Sequence, residues 1–386
     1  MGSSWKDDVR KDYEDMRDRF RGQSTEGFEK GDWLAELVAW ILADYAKTVD
    51  ADYLRRTYPG AAPANQAKKA ITLASRHAGV AGAAAAGVIT GLQVSSLGPQ
   101  AMVTVPAAGA ALMGEIGYTT RLQLRSTYDL SVIHGAPLST DDVEDCYLIL
   151  LTAMGVKLHE LMGGVGKVIG PDIVSYNVRK LLRSGLRKGL QEVLKKVGGT
   201  KLARKLTERA MMRYLVPGVS IGVAYGFNQF FTTRVLNVAN AEMRRRGAVV
   251  QPLVRAFKRD ATLTKTGPVK ALISVVDAGD PEGWSENQMD ALRHVQGAVS
   301  LADDDLAELE SYFDREADVV AKELEGIKPE AADELVTLCA VGAALAGDAR
   351  NDDDYVEALA ALSRLGTPLK RKKARKAIEK WRKKLR

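Results

Sequence analysis

The residues best placed to do chemistry are acids and bases gathered in blocks. Asp277, Asp280, Asp348 and Asp352 stand at the mouths of two related turns. Their carboxylates are hard oxygen ligands of the kind that Ca²⁺ or Mg²⁺ takes, although neither turn has the twelve-position spacing of an EF-hand. The competing reading is helix capping, in which Asp and Ser side chains accept from the free N–H groups of a first turn and stabilise it by about 1 kcal/mol per cap. No other cofactor is expected.

The second block is basic. Val178, Leu181, Leu182, Leu186, Leu190, Val193, Leu194 and Val197 fall on one helical stripe, flanked by Arg179, Lys180, Arg183, Arg187, Lys188, Lys195 and Lys196. This spacing predicts an amphipathic cationic helix whose apolar face can be buried in core or in lipid. Each Lys or Arg near an anionic surface is worth about 1 kcal/mol, so a handful in contact would recruit the protein to a membrane. A solvated basic face on a core helix is the plainer alternative. Nucleic-acid phosphates also attract such patches. The chain shows no recognised DNA- or RNA-binding motif and little aromatic interleaving, so nucleic acid is not the expected partner.

Motifs that would signal an enzyme fail on context. Gly218-Val219-Ser220-Ile221-Gly222 matches G-x-S-x-G literally. A nucleophile elbow needs a strand before it and a helix after it, whereas here Pro217 and a basic stretch precede it. His159-Glu160 begins like a zinc-peptidase motif, but Gly163 occupies the second ligand position. Gly163-Gly164-Val165-Gly166-Lys167 resembles a phosphate loop only superficially, because Val168 cannot hold Mg²⁺ as Ser or Thr would. The four histidines are not paired at ligand spacing, and Cys146 and Cys339 lie far apart. A non-enzymatic, reduced cytoplasmic protein is therefore the expectation; a cryptic enzyme is the third reading, together with a nucleic-acid binder.

The elements that must position these blocks read as helices almost throughout. Trp5, Val9, Tyr13, Met16 and Phe20 recur every three or four residues and predict an opening amphipathic helix. A second helix is expected from Trp33 to about Tyr58, ended by Pro59-Gly60. The N-terminus carries both charge signs and no apolar run, so it does not read as a secretory signal. Lys6 fills the hydroxyl position of a myristoylation pattern, which is discounted. Residues Ala78 to Gly114 carry no charge and are expected to break at Ser96-Leu97-Gly98-Pro99, and Tyr214 to Thr233 is also uncharged. At about 20 residues per bilayer crossing, each arm of the first run is short, and the second contains Pro217, Asn228 and Gln229. Buried core helices are expected, with membrane entry as the alternative.

An internal echo links Val105-Pro106 to Val216-Pro217, and Thr119-Thr120-Arg121 to Thr232-Thr233-Arg234, with Pro expected to open a helix in each case. Residues 251–268 read as a linker or capping segment. No alternating β-branched run bounded by hairpin turns occurs. The fold class expected is all-α: an N-terminal charged helix over 1–31, a helical domain over 32–250, an acidic helical domain over 265–366 and a basic tail over 367–386.

The net charge of +6 hides strong segregation. From Asp277 to Glu357 there are 23 acidic and 5 basic residues, a net of −18, while Lys370 to Arg386 holds 11 Lys/Arg and one Glu, a net of +10. Ile378, Trp381 and Leu385 are spaced by three and four, so the tail can form a cationic helix with a thin apolar stripe. Its charge predicts that it folds back on the acidic region in solution and moves to anionic lipid when a membrane is available; the plainer alternative is a solvated basic helix that touches neither, since exposed ion pairs contribute only about 0–1 kcal/mol each.

Two resemblances add to this reading. Val216-Pro217-Gly218 with Gly222, Asn228, Arg234 and Ala239, and Asp129-Leu130 with His134-Gly135 and Asp141-Asp142, resemble the EcsC family of bacterial proteins over roughly residues 33–246. That resemblance implies a helical, membrane-associated domain with no established catalytic residues. Ala271-Leu272-Ile273 leading to Asp277, Gly279-Asp280 and Ser285-Glu286, then Gly347-Asp348 and Asp352-Asp353-Asp354, resemble a TerB-like (tellurite-resistance-like) domain. Ala278 and Ala349 depart from that family's Asp-Gly turn. The combined expectation is a protein peripheral at the inner face of the membrane, its central domain contacting anionic lipid and its acidic domain serving as a sensing or protein-interaction module. The alternative is an effector that inserts Ala78–Gly114 and permeabilises the bilayer in stress or phage defence.

Overall fold

The computed structural model describes residues 5–20, 49–95, 101–138, 221–279, 283–299, 301, 303–313, 315–346 and 352–385. All α-helices and one 3₁₀ turn, with no strand, make up the regular structure of the described residues, in keeping with the 3.6-residue periodicity. In order these helices are α1 (Trp5–Phe20), α2 (Ala51–Thr57), α3 (Pro63–Ser95), α4 (Ala101–Ile133), α5 (Ile221–Arg259), α6 (Thr266–Gly279), α7 (Glu286–Val299), α8 (Asp303–Glu310), α9 (Ala317–Glu323), α10 (Pro329–Leu345), α11 (Asp352–Leu362) and α12 (Arg371–Leu385). The chain divides into two compact units. One takes the described residues up to Ile133, with 137–138 and 221–240; the other takes His134–Ala136 and the described residues from Ala241 onward.

In the first unit, α1 buries Val9, Tyr13 and Met16, the stripe its spacing predicts. The Tyr13 hydroxyl donates to the Ala111 carbonyl at 3.0 Å. Helices α3 and α4 pack along one another, and α1 packs on both. Small residues are prominent in this unit's core: Ala78, Ala81, Ala85 and Ala111 are fully buried, which lets helix backbones approach closely. A Cβ at Gly82 would overlap the Asn228 amide of α5, and one at Gly114 would press on the Arg17 backbone. The described part of the uncharged run lies on two helices, α3 ending at Ser95 and α4 opening at Ala101; the break expected at Ser96-Leu97-Gly98-Pro99 lies outside the described residues. Among the described residues no helix is long and apolar enough to cross a membrane.

Three boundaries differ from those expected. The helix expected from Trp33 to Tyr58 is interrupted, because Asp50 is extended (φ −127°, ψ −179°) and caps α2 by accepting from the Tyr53 N–H at 2.6 Å; residues 33–48 lie outside the described ones. Helix α4 opens at Ala101 rather than at Pro106, which falls in its second turn and removes one backbone hydrogen bond there. The segment read as a linker over 251–268 is mostly helix: α5 continues through Pro252 to Arg259, and α6 already starts at Thr266. Burial of Val249, Leu253 and Ala256 offsets the roughly 3 kcal/mol that an interior Pro costs.

The second unit is centred on α6, which is buried along nearly its whole length, from Thr266 to Val276 and at Gly279. It packs against α7, α8, α9, α10 and α11. Gly279 accommodates the Tyr355 ring and Gly342 the Leu272 side chain, where any Cβ would collide. Ser285 and Gln288 form a reciprocal cap on α7: the Gln288 N–H donates to Ser285 Oγ at 3.3 Å, and the Ser285 N–H to Gln288 Oε1 at 2.8 Å. The tail is part of this core, since Ala374, Ile378 and Leu385 of α12 are buried in it.

Candidate anion-binding surface

The approach to α12 is fixed by side-chain bonds to its connecting segment. Asp333 of α10 accepts from the Thr367 N–H at 2.7 Å and from its hydroxyl at 2.9 Å, and Ser363 Oγ accepts from the Leu369 N–H at 2.8 Å. A Cβ at Gly366 would meet both Asp333 and the Pro329 carbonyl, so only Gly lets the chain pass this close. At the far end the Leu385 carbonyl, one of the orphan acceptors of a helix C-terminus, takes a 2.8 Å bond from Arg244 Nη2.

Between these anchors the basic residues of α12 sort by type. Its arginines all face the acidic helix α11: Arg371 pairs with Glu357, Arg375 with Asp353, and Arg382 with Asp352. The order runs in opposite directions along the two helices, as antiparallel packing requires. The Arg382 contact is two-pointed, Nη2 to Oδ1 at 2.7 Å and Nη1 to Oδ2 at 3.1 Å. Its side chain is only 13% exposed, against 64% and 44% for Arg371 and Arg375.

The six lysines, Lys372, Lys373, Lys376, Lys380, Lys383 and Lys384, are exposed on the remaining arc. Among the described residues none of them pairs with an acid. Partial burial, then the neighbouring charges of Lys380 and Arg255, depress the Lys384 ammonium below its usual pKa. The same ammonium sits 4.2 Å from the centre of the Trp381 ring. Arg255 and Arg259 of α5 share the single carboxylate of Glu334, at 2.8 and 3.0 Å. The result is a surface of concentrated positive charge carried on a helix that is itself fixed in the core.

Of the residues singled out by sequence, Arg179, Lys180, Arg183, Arg187, Lys188, Lys195 and Lys196 lie outside the described residues, as do Asp280 and Asp348. Asp277 accepts a 3.4 Å bond from the Trp284 indole. Asp352, in the first turn of α11, has both oxygens engaged by Arg382. Among the described residues no group of three or more acidic, His or Cys side chains is arranged to hold a metal ion.

Two polar clusters escaped the sequence reading. In the first unit Asn228 Nδ2 donates to the buried Glu115 carboxylate at 2.6 Å and to the Ala78 carbonyl at 3.4 Å, so one amide joins α3, α4 and α5. In the second, His294 Nε2 lies 3.1 Å from Glu242 Oε1, Arg245 approaches Glu242 Oε2 at 3.5 Å, and Arg293 pairs with Asp290 at 2.5 Å. Burial pushes the Glu242 pKa up, but the hydrogen bonds from His294 and Arg245 outweigh it and hold the carboxyl below its ordinary range. Burial, and then the Glu242 charge, raise the Asp290 pKa. Each acid is answered by a cation, so this cluster stitches α5 to α7. Neither cluster leaves a local signature, because its members come from helices distant in sequence.

No protein-family model matches the chain, and no curated protein or solved structure matches it either.

Proposed function

We propose that this chain is a non-enzymatic protein that associates peripherally with an anionic membrane surface, at its inner face in a bacterial cell. The observation that carries the reading is the lysine arc of α12, six exposed ammonium groups with no acidic partner among the described residues. At about 1 kcal/mol for each Lys near an anionic leaflet, contact by half of them suffices for measurable recruitment. Exposed apolar side chains on α5, Ile221 and Phe230, the latter 66% exposed, are of the type that enters the headgroup boundary once charge has brought a protein there. In this reading the EcsC-like region contributes further lipid contacts through the 178–197 block, and the TerB-like acidic region serves as an interaction or sensing module. Co-sedimentation with vesicles of rising phosphatidylglycerol content tests it. Binding should increase with the anionic fraction and decrease with salt; binding that ignores lipid charge contradicts it.

A further inference from the structure

The sorting of arginines from lysines on α12 bears on how the helix meets a membrane. On a helical projection Arg371, Arg375 and Arg382 lie at one flank of the buried stripe formed by Ala374, Ile378 and Leu385, facing α11. Lys372, Lys376, Lys380 and Lys383 lie on the opposite side, with Lys373 and Lys384 beside them. From Lys372 to Lys384 the row extends over about 18 Å at 1.5 Å per residue. We propose that α12 binds an anionic lipid surface through this lysine row while it remains docked in its unit, the arginines acting as the clamp and the lysines as the contact. The proposal rests on the function given above and adds to it the docked state of the helix that makes the contact.

It replaces the exchange between acids and lipid that charge alone predicts. Release of α12 would expose Ile378 and Leu385 and break the two-point Arg382–Asp352 contact, whereas the lysine row is available without either cost. The residue types favour lipid over nucleic acid. Lysine is a compact, strongly hydrated point charge that suits a diffuse anionic surface. Both surfaces present phosphodiesters that Lys can meet, but base-edge readout and base stacking draw on the planar fork of Arg and on aromatic side chains, and here the Arg forks are turned into α11.

The test uses the full chain with phosphatidylcholine–phosphatidylglycerol vesicles. The triple variant Lys372→Gln/Lys376→Gln/Lys383→Gln should lose on the order of a hundredfold in vesicle affinity while keeping the urea midpoint of the parent. To hold the helix in place, Asp353→Cys/Arg375→Cys in a Cys146→Ser background can be joined by a short bismaleimide; the two changes cancel in charge. Linked and unlinked protein should bind these vesicles alike, and inorganic phosphate at matched ionic strength should not displace them. Loss of binding on linkage overturns docked-state contact. Binding by the parent that the lysine changes leave intact overturns the assignment to α12 while sparing the wider membrane reading. Absence of binding by the parent removes both. Duplex DNA bound through these lysines in preference to vesicles overturns the choice of lipid.

Discussion

Arg382 grips the Asp352 carboxylate at both oxygens, 2.7 and 3.1 Å away, and thereby fastens the cationic helix α12 to the acidic helix α11. This pair is partly sheltered, and hydrogen bonds between charged, oriented groups are the strong ones. Arg382→Gln should therefore destabilise the protein by about 1–2 kcal/mol. Arg371→Gln, at an exposed pair, should cost about 0.5 kcal/mol or less. Urea unfolding at low and high salt separates them: the Arg371 effect should vanish with salt and most of the Arg382 effect should persist.

The apolar side of the same helix carries more of its docking energy. Ile378 is 2% exposed, and truncation of such a side chain costs about 2–5 kcal/mol. Ile378→Ala should lower the urea midpoint and speed tryptic cleavage within 371–385. Cleavage at the parental rate would mean that α12 is held by charge rather than by its stripe.

Close helix approach in the first unit rests on Gly82. A methyl group there collides with the Asn228 amide, which is committed to Glu115 and the Ala78 carbonyl. Gly82→Ala should destabilise by about 1–3 kcal/mol, and Asn228→Ala by about 1–3 kcal/mol through loss of its hydrogen bond to the buried Glu115 side chain. The double variant should cost less than the sum, since both act on one contact.

Asp260 supplies a pH-dependent term. Hydrogen bonds from the Thr262 hydroxyl, the Lys328 N–H and the Thr262 N–H favour its charged form and lower its pKa. A depressed folded pKa gives stability that is present above the unfolded value of about 3.9 and is lost as pH falls through the folded one. Asp260→Ala should therefore melt earlier than the parent at neutral pH, with the gap narrowing below about pH 4. A gap that stays constant to the lowest pH would show that packing, not the carboxylate, is responsible.

The helical class is legible because apolar residues recur with the helical period: the α1 stripe of Val9, Tyr13 and Met16 can be read from spacing alone. So can the apolar stripe of α12, since Ile378, Trp381 and Leu385 are i, i+3 and i+7. What stayed hidden is what depends on rotation or on distant partners. The common face of Arg371, Arg375 and Arg382 has meaning only once α11 lies beside it. The Asn228–Glu115 bond joins positions 113 residues apart, and no local pattern announces it. The continuation of α5 through Pro252 is hidden because the composition over 251–268 looks like a linker, while the burial of Val249 and Leu253 that sustains the helix there comes from partners distant in sequence.

The most direct measurement of the central claim is co-sedimentation of the full chain with phosphatidylcholine vesicles, with and without phosphatidylglycerol, across a salt series. The account predicts binding only to the anionic vesicles, falling steadily as salt shortens the reach of the lysine charges. Equal binding to neutral and anionic vesicles at every salt concentration, or binding to neither at low salt, would contradict it.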